Sequence, residues 1–332
     1  MAEHMSDCDA MTEMVSSPWL RLSLTVNLAI TIVSFPVLLG ALYYINTQRL
    51  FHRNTRIQVQ VHIFGLLIHS TGRSALHLLD LINYLSNTGC DALPNFYRCL
   101  ITRGIYNFGL ALAAMCSASL VIERFFALLY SSTYEMCSKT FGVLLGFVQL
   151  VLAFAFLFKL YLNAPFSPDP DHVLYYCQTL ASGYGSVWTI NAPLYAVVLG
   201  QCVCRFVFWY LEVETKKTRS TQKFHTLSTR YTLEQGIRSI QALNMFINVN
   251  FIVFTVLSFI ETILHFNISR MQRPTYFALV EVIHFLPTYG IILSMYIYYS
   301  LKKLDKKMKT SLAQSIHVDP NVYHIEFRRQ IG

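Results

Sequence analysis

The chain has 332 residues, of which 54% are hydrophobic and 14% aromatic, whereas only 13% are charged. A soluble protein carries about 25% charged residues, so this composition excludes an ordinary pair of soluble domains and predicts a chain that hides apolar surface in lipid. The net charge of +8 does not form a basic face interleaved with aromatic residues, which argues against a nucleic-acid partner and leaves membrane topology as its explanation.

Seven apolar stretches, each long enough to cross the roughly 30 Å hydrocarbon core of a bilayer as a helix, follow one another along the chain. The expected spans are residues 22–45, 59–84, 99–129, 140–162, 188–211, 239–266 and 276–301. We therefore predict an all-α membrane protein built as a bundle of seven transmembrane helices. No internal repeat relates its two halves, which argues against a transporter built from paired repeats.

Basic residues are distributed unequally between the two sides of these spans. Seventeen share a side with the C-terminal tail, and six lie on the opposite side. By the positive-inside rule, this asymmetry places the C-terminus in the cytoplasm and the N-terminus outside. The first 20 residues contain four acidic side chains and no Lys or Arg, so no cleaved signal peptide is expected.

The predicted organisation has three parts: an extracellular tail (residues 1–21), the seven-helix domain (22–301) and a cytoplasmic tail (302–332). The cytoplasmic tail begins with LKKLDKKMKTSL, in which apolar residues fall on one helical stripe and lysines surround the other face. The stripe consists of Leu301, Leu304, Met308 and Leu312. This pattern predicts a short amphipathic helix that lies along the inner leaflet and is attracted to anionic membrane lipids.

Four of the cysteines lie on the predicted outer side, where the compartment is oxidising: Cys8, Cys90, Cys99 and Cys177. Four cysteines allow three pairings. We favour a disulfide between Cys99 and Cys177, which ties the longest outer loop over the third span, while Cys90 either pairs with Cys8 or stays free. The Asn-Ile-Ser triplet at Asn267 matches a glycosylation acceptor, but it lies so close to the membrane that we expect it to be unused.

Ionisable residues inside a membrane span are costly, so each suggests a role in function or in helix packing. Five in the second span recur at spacings of seven, four, four and three residues, which puts them on one stripe that faces the bundle. They are His62, His69, Arg73, His77 and Asp80. We predict that His69, Arg73, His77 and Asp80 form a buried polar network. No carboxylate or cysteine lies beside the histidines at ligand spacing, so no metal site is expected.

Polar residues in the outer halves of other spans converge on one region between the helices, where ligand sites are commonly built. The candidate ligand-binding residues are Tyr106, Asn107, Asn191, Glu261, His265, Glu281 and His284. For each of them a purely structural role is the alternative. Pro287, which follows the last of them, predicts a kink in the seventh span.

The inner end of the third span carries Glu123, Arg124 and Phe125, and Arg124 comes 25 residues after Cys99. The charged pair can bond within the helix terminus or across to the sixth span, and a pair that releases when the helices separate forms an activation switch. An arginine that snorkels to the lipid headgroups is the alternative. The distance from an outer cysteine, in a chain of seven spans, favours the switch.

Three strings carry a resemblance to a known family: CDALPNFYRCLITR around Cys90 and Cys99, SLVIERFFALLYSSTYE ending the third span, and LSTRYTLEQGIRSI before the sixth. They resemble the nematode serpentine chemoreceptors of the Sra superfamily, most closely the alpha/beta class (Srab), over nearly the whole chain. The resemblance implies a G-protein-coupled chemosensory receptor in the plasma membrane of a sensory neuron, in its cilium or dendrite. Such a receptor binds an environmental small molecule and activates a heterotrimeric G protein.

Departures from rhodopsin-like receptors limit what can be carried over. The tripeptide at the inner end of the third span is Glu-Arg-Phe instead of Asp-Arg-Tyr, and the seventh span lacks the usual Asn-Pro pair. Amine receptors resemble one another in placing an aspartate seven residues after the outer cysteine, where this chain has Tyr106; a biogenic amine is therefore disfavoured as the ligand.

A seven-helix ligand-gated channel or transporter is the alternative to a receptor. No HExxH or GxSxG motif occurs, and no inner loop carries paired carboxylates, so we expect neither enzymatic activity nor a cofactor.

Overall fold

The computed structural model describes residues 7–47, 51–130, 134, 139–163, 176–177, 187–221 and 227–316. Within these ranges the regular structure is helical and no strand occurs. The helices are α1 (Asp7–Ser16), α2 (Pro18–Thr47), α3 (Arg53–Ser86), α4 (Phe96–Leu129), α5 (Thr140–Asn163), α6 (Val187–Thr221), α7 (Leu227–Phe266), α8 (Arg273–Ile283) and α9 (Leu286–Ile316). We call the end of the bundle that carries Cys99 its outer end and the end that carries Arg124 its inner end.

The seven predicted spans correspond to α2 through α7 and to α8 with α9, which together form the seventh. Among the described residues, six stretches are long and apolar enough to cross a membrane by length and composition alone, and they lie in every span except α3. The 34-residue α3 is also long enough, but its polar stripe lowers its hydropathy. Because that stripe is buried among the other helices, α3 completes a bundle of seven, which confirms the predicted fold.

Glycines allow α3 and α4 to approach more closely than ordinary side chains would permit. A Cβ atom on Gly109 of α4 would lie 2.3 Å from the backbone nitrogen of His69, and one on Gly72 of α3 would lie 2.5 Å from the backbone nitrogen of Tyr106. The small residues thus seat the polar stripe of α3 directly against α4, which is how membrane helices pack without a hydrophobic driving force.

The N-terminal tail contains a helix that the sequence did not predict. Met11 and Met14 of α1 are fully buried, and they join a cluster at the outer end of the bundle that includes Leu20 and Tyr84. A disulfide between Cys8 and Cys90 attaches α1 to the short connection between α3 and α4. The pairing that the sequence left open is therefore made, and α1 covers part of the outer end.

The kink predicted from Pro287 is a complete break in the seventh span. α8 ends at Ile283 and α9 begins at Leu286, so Pro287 falls in the first turn of a new helix, where its missing N–H costs nothing. Had the helix continued through this point, the proline ring would have clashed with the carbonyl of Ile283. The break leaves backbone carbonyls of α8 in the middle of the bundle, and they need donors.

The lysine-rich segment after Leu301 is helical, as predicted, up to Ile316. It continues α9 without interruption, whereas the sequence suggested a separate helix. Packing against the bundle reaches the end of the span, since Leu301 is 1% exposed, whereas Lys302 and Lys303 are exposed.

Candidate functional site

The polar stripe of α3 is buried along its whole length. His62, His69, Arg73, His77 and Asp80 are each at most 1% exposed. The predicted network is only partly a network of these residues with one another: Arg73 Nε donates to His77 Nε2 at 3.0 Å, but the other partners of the stripe come from neighbouring helices. Through the polar groups of this stripe, α3 is thus bonded to both α4 and α8.

Glu281 of α8 is the centre of what we call the outer charge cluster: Arg73, His77, Arg103, Tyr176 and Glu281. Arg103 Nη2 lies 2.8 Å from Glu281 Oε1, and Arg73 Nη2 lies 3.4 Å from Glu281 Oε2. The Tyr176 hydroxyl donates to Oε1 at 2.8 Å, and His77 Nε2 lies 3.4 Å from Oε2. Two guanidinium groups from different helices therefore share one buried carboxylate.

Arg73 also donates to backbone carbonyls that the break in the seventh span leaves without a donor from the helix. Its guanidinium donates to the backbone carbonyl of Glu281 at 2.8 Å and to that of His284. The first carbonyl belongs to the last turn of α8 and the second to the residue that follows the helix, where a positive charge is also favoured by the helix dipole. Asn27 of α2 donates to the Glu281 carbonyl as well, at 3.0 Å. The break is held in place by side chains from two other spans.

Asp80, the outermost residue of the predicted network, has a different partner. Arg98 Nη2 at the start of α4 lies 2.7 Å from Asp80 Oδ1. Asn95 caps the same helix by accepting from the backbone nitrogens of Tyr97 and Arg98. The cap fixes where α4 begins, and this places Arg98 against Asp80.

Four of the seven candidate ligand residues lie on α4 or at the end of α8, and they divide into two groups. Glu281 and His284 are buried and bonded within the protein, the latter through its Nδ1 to the Val280 carbonyl at 2.7 Å. Tyr106 is 1% exposed, and its hydroxyl has no hydrogen-bond partner among the described residues. Asn107 is half-buried beside it on α4. Glu281 and His284 therefore stabilise the fold, whereas the Tyr106 hydroxyl has no partner among the described residues.

The remaining candidates lie on α7 and α6. Glu261 and His265 are each 4% exposed. His265 bonds the Glu261 carbonyl through Nδ1 at 3.1 Å, and its Nε2 lies 3.4 Å from the Tyr276 hydroxyl. Asn191 belongs to α6, and its side chain lies outside the described part of the structure. Ligand binding by any of the seven stays a prediction.

Sequence reasoning missed Arg103 and Tyr176. Arg103 was counted among the outer basic residues, yet it is 4% exposed and stacks over two rings, 4.9 Å from the Tyr106 centroid and 5.8 Å from that of Tyr176. Burial, together with the nearby Glu281 carboxylate, raises the pKa of the Tyr176 phenol, so it stays a hydrogen-bond donor. The spacing of Arg103 and Tyr106, three residues apart on a helix, was the available signal.

The structure joins Cys99 to Cys177, the pairing favoured from the sequence. Both sulfurs are buried against Leu76, and Arg103 Nε donates to the Cys177 carbonyl. The disulfide therefore holds the segment that carries Tyr176 over the outer charge cluster.

Replacing Cys177 with serine is expected to lower the amount of folded protein at the cell surface several-fold. The bond closes a loop with a sequence separation of 78, and loss of a disulfide costs about 2–5 kcal/mol. Surface labelling of an N-terminal epitope measures the effect. Cys202→Ser, at a free and exposed cysteine of α6, is the matched control; equal surface levels of the two variants would contradict a structural role for the bond.

A second chain of polar contacts crosses the middle of the bundle. The Tyr289 hydroxyl lies 3.2 Å from His62 Nε2 and donates to Asn250 Oδ1 at 2.8 Å. Asn250 Nδ2 donates in turn to the Ser117 hydroxyl at 2.8 Å, and His62 Nδ1 lies 3.0 Å from the Ala113 carbonyl. This central chain joins α3, α4, α7 and α9, and apart from His62 it was not predicted.

The Glu123–Arg124 pair is closed at the inner end. Arg124 Nε lies 2.5 Å from Glu123 Oε2, and Nη2 lies 2.5 Å from the Thr55 hydroxyl. Thr55 donates to Glu123 at 3.0 Å, and so does the Tyr134 hydroxyl at a shorter distance. Burial, reinforced by the Glu123 carboxylate, raises the pKa of the Tyr134 phenol, which keeps it a donor.

Of the alternatives left open for this pair, the bond within the end of the helix is the one that forms. The contact with another helix is to Thr55 of α3 and not to the sixth span. Arg124 is 4% exposed, so it does not snorkel to the headgroups. Phe125 is 43% exposed and packs edge-on against Phe126. It therefore lies outside the cluster that Glu123 and Arg124 form.

Asn267 follows α7, and its side-chain amide donates to the Ile263 carbonyl at 2.8 Å. This contact satisfies one of the carbonyls at the end of α7. Glycosylation at Asn267, which the sequence disfavoured, remains an open prediction.

Comparison with known protein sequences identifies the family of this chain. A family model for the serpentine type seven-transmembrane G-protein-coupled receptor class ab chemoreceptors matches residues 5–332. The Caenorhabditis elegans protein serpentine receptor class beta-6 is 25% identical over 237 residues, which cover 70% of this chain and 67% of that protein. Serpentine receptor class alpha-10 of the same organism is 18% identical over 308 residues, which cover 92% and 90%. The chain therefore belongs to the serpentine class ab family of seven-transmembrane chemoreceptors.

Proposed function

We propose that the protein is a G-protein-coupled chemosensory receptor that binds a small molecule in the outer half of its bundle and activates a heterotrimeric G protein. One observation carries the proposal: buried polar contacts occur in three layers, from the outer charge cluster through the central chain to the Glu123–Arg124 pair. α3 and α4 contribute to all three layers. A ligand that moves these helices at one end acts on contacts at the other.

The mechanism is a shift between two populations of the receptor. A ligand can only change this equilibrium by binding one arrangement better than the other. The outer charge cluster bonds the broken seventh span to α3 and α4, so a ligand that competes for these donors changes how α8 sits. The contact between Glu123 and Arg124 then breaks or forms, and the G protein responds to this change at the inner end of the bundle.

Replacing Arg124 with alanine is expected to abolish signalling while the receptor still reaches the surface. Loss of this buried ion pair lowers stability, but Glu123 keeps two hydroxyl donors, Thr55 and Tyr134, so signalling is compared at equal amounts of receptor at the surface. The measurement pairs a G-protein reporter with surface labelling. Lys139→Ala removes an exposed basic residue at the same end of the bundle and serves as the control; full signalling by the Arg124 variant would exclude the proposed switch.

The direct test of the function is a chemical screen. Cells that express the full chain with a promiscuous G-protein reporter are exposed to a broad panel of small molecules, and ligand-dependent reporter activity is expected. The response should disappear in the Arg124→Ala variant. A ligand-gated current that needs no G protein would instead favour the channel alternative.

Orientation is a separate part of the proposal, and it rests on the excess of basic residues at the inner end. We place the N-terminus outside, the C-terminus in the cytoplasm, and the receptor in the plasma membrane of a sensory neuron, in its cilium or dendrite. An epitope fused before residue 7 is expected to be labelled on intact cells. Labelling that requires permeabilisation would contradict this orientation.

A further inference from the structure

A groove between α2 and α3 lies in the inner half of the bundle, and its volume is about 550 Å³. Its deeper part is apolar, with walls that include Leu39 and Phe64, which are each more than half exposed. Its inner mouth is polar, because Gln60 Nε2 lies 3.5 Å from Asn46 Oδ1 there. From Leu39 to Asn46 the helix rises on the order of 10 Å, which is within one leaflet of the roughly 30 Å hydrocarbon core. The groove therefore opens to the acyl chains of the leaflet at the inner end.

Two arginines lie at the inner mouth of this groove. Arg56 Nη1 donates to the Asn46 carbonyl at 3.0 Å, whereas its Nη2 has no hydrogen-bond partner among the described residues. Arg53 is exposed and precedes Arg56 by three residues on α3, so the two side chains are neighbours on one side of the helix. Both come before residue 59, where the apolar span is predicted to begin. The arginines are therefore expected at the depth of the lipid head groups.

The described part of the chain provides no counter-ion for Arg53 and Arg56. Neither arginine forms an ion pair within it, since the ion pairs there join other residues. Like charges one turn apart on a helix are destabilising, so an anion bound between the two arginines stabilises the start of α3. The guanidinium group of Arg56, which Asn46 orients, has the geometry that suits phosphate oxygens. The mouth of the groove thus favours a phosphate.

A basic mouth and an apolar groove together match one kind of membrane molecule. We propose that the groove binds an anionic phospholipid: Arg53 and Arg56 bind its head-group phosphate, and one acyl chain lies between α2 and α3. Arginines near the membrane surface attract anionic lipids, and the acyl chain covers the apolar walls. Phosphatidylcholine has the same phosphate but adds a cation beside the two arginines, so it binds more weakly than a lipid with a net negative charge.

The same part of α3 also contacts the inner pair. Thr55, between the two arginines in sequence, is buried and bonds both Glu123 and Arg124. Asn54 Nδ2 donates to the Tyr134 hydroxyl at 3.3 Å. The start of α3 therefore carries basic groups for the lipid as well as the partners of the inner pair. A lipid that binds across α2 and α3 stabilises this arrangement, and it is expected to raise the melting temperature of the folded receptor.

Lipid binding is measured on the purified full-length receptor, by native mass spectrometry and by thermal melting in detergent micelles. Phosphatidylserine is compared with phosphatidylcholine of the same acyl chains and with glycerol 3-phosphate, a soluble phosphate without acyl chains. A single phosphatidylserine molecule is expected to stay bound, and to raise the melting temperature at a concentration about tenfold lower than phosphatidylcholine does. Equal effects of the two lipids would overturn the role of the arginines, and an equal effect of glycerol 3-phosphate would overturn the role of the groove.

A double variant, Arg53→Gln with Arg56→Gln, tests the mouth of the groove. It is expected to fold, because neither arginine forms an ion pair within the described residues, and to weaken phosphatidylserine binding roughly tenfold or more. The control is Lys302→Gln with Lys303→Gln, which removes two exposed charges from α9 at the same end of the bundle and should keep most of the binding. Equal weakening by the two double variants would show a diffuse attraction to basic residues and would contradict a site at α3.

Leu39→Trp tests the groove itself, because the larger side chain occupies the space of the acyl chain and leaves both arginines in place. Leu144→Trp on α5 is the matched control, since the two leucines are 54% and 56% exposed and neither variant is expected to unfold the protein. Phosphatidylserine binding should be lost in the first variant and kept in the second; unchanged binding in both would contradict the position of the chain. These measurements use neither an odorant nor a G protein, so their failure would leave the proposed receptor function intact.

Discussion

Replacement of Glu281 by glutamine is expected to remove most of the folded receptor from the cell surface. Glutamine keeps the volume of the side chain, so no cavity forms, but the guanidinium groups of Arg73 and Arg103 lose the carboxylate they share. Breaking a buried ion pair on one side costs about 3–5 kcal/mol. Since a native protein is stable by only about 5–15 kcal/mol, this loss is large enough to unfold much of the protein. Surface labelling and thermal melting in detergent measure it.

The control for this prediction is the same substitution at Glu261. Both glutamates are buried in the outer half of the bundle, yet only Glu281 is contacted by arginines among the described residues. Glu261→Gln should therefore leave the amount of folded receptor close to that of the unmodified protein. If the two variants are expressed equally, the charge cluster does not hold the outer ends of the helices together.

Combining Glu281→Gln with Arg103→Gln sharpens the test. The double variant loses one charge of each sign, so the cluster returns to the single excess positive charge it has in the unmodified protein. Residues in one network are not additive, and the double variant is expected to be more stable than Glu281→Gln alone. A double variant that is less stable would show that Arg103 contributes mainly through the Cys177 carbonyl and the tyrosine rings.

The spacing of residues along a helix shows which of them share a face, but it does not show which other helix that face contacts. The spacing of His62, His69, Arg73, His77 and Asp80 shows that these residues share a face, and burial of that face is required in a membrane. The period is local, so it does not show which neighbour meets them. Arg98 and Glu281, the partners of Asp80 and Arg73, are brought in by the packing of α4 and α8.

The inner pair illustrates the same limit. Glu123 and Arg124 are adjacent in sequence, and their contact with each other could be predicted. Their contact with Thr55 depends on the close approach of α3 to α4, which glycines such as Gly109 allow. Likewise, Pro287 predicts a kink, but nothing local to it shows that Arg73 of another span donates to the carbonyls that the break exposes.

Replacement of Gly109 by alanine is expected to destabilise the receptor more than a single methyl group usually does. The new Cβ atom would lie 2.3 Å from the His69 nitrogen and 2.5 Å from the Gly65 carbonyl oxygen. Both are backbone atoms of α3, so no side chain can rotate away and α3 as a whole must move. Overpacking costs about 1–3 kcal/mol, and here the shift also separates the stripe of α3 from its partners on α4 and α8.

Gly40 and Gly200 provide matched controls, because a Cβ atom on either would meet nothing within 4 Å. At such helical positions alanine is favoured over glycine by about 0.5–1 kcal/mol, so Gly40→Ala and Gly200→Ala should leave the melting temperature in detergent unchanged or raise it. Gly109→Ala should lower it by several degrees. Because the substitution is identical in all three variants, helix propensity cannot account for a difference in sign. A melting temperature for Gly109→Ala equal to that of the controls would mean that α3 and α4 are not as closely packed as the fold requires, and the inner contact of Thr55 with Arg124 would then lose its basis as well.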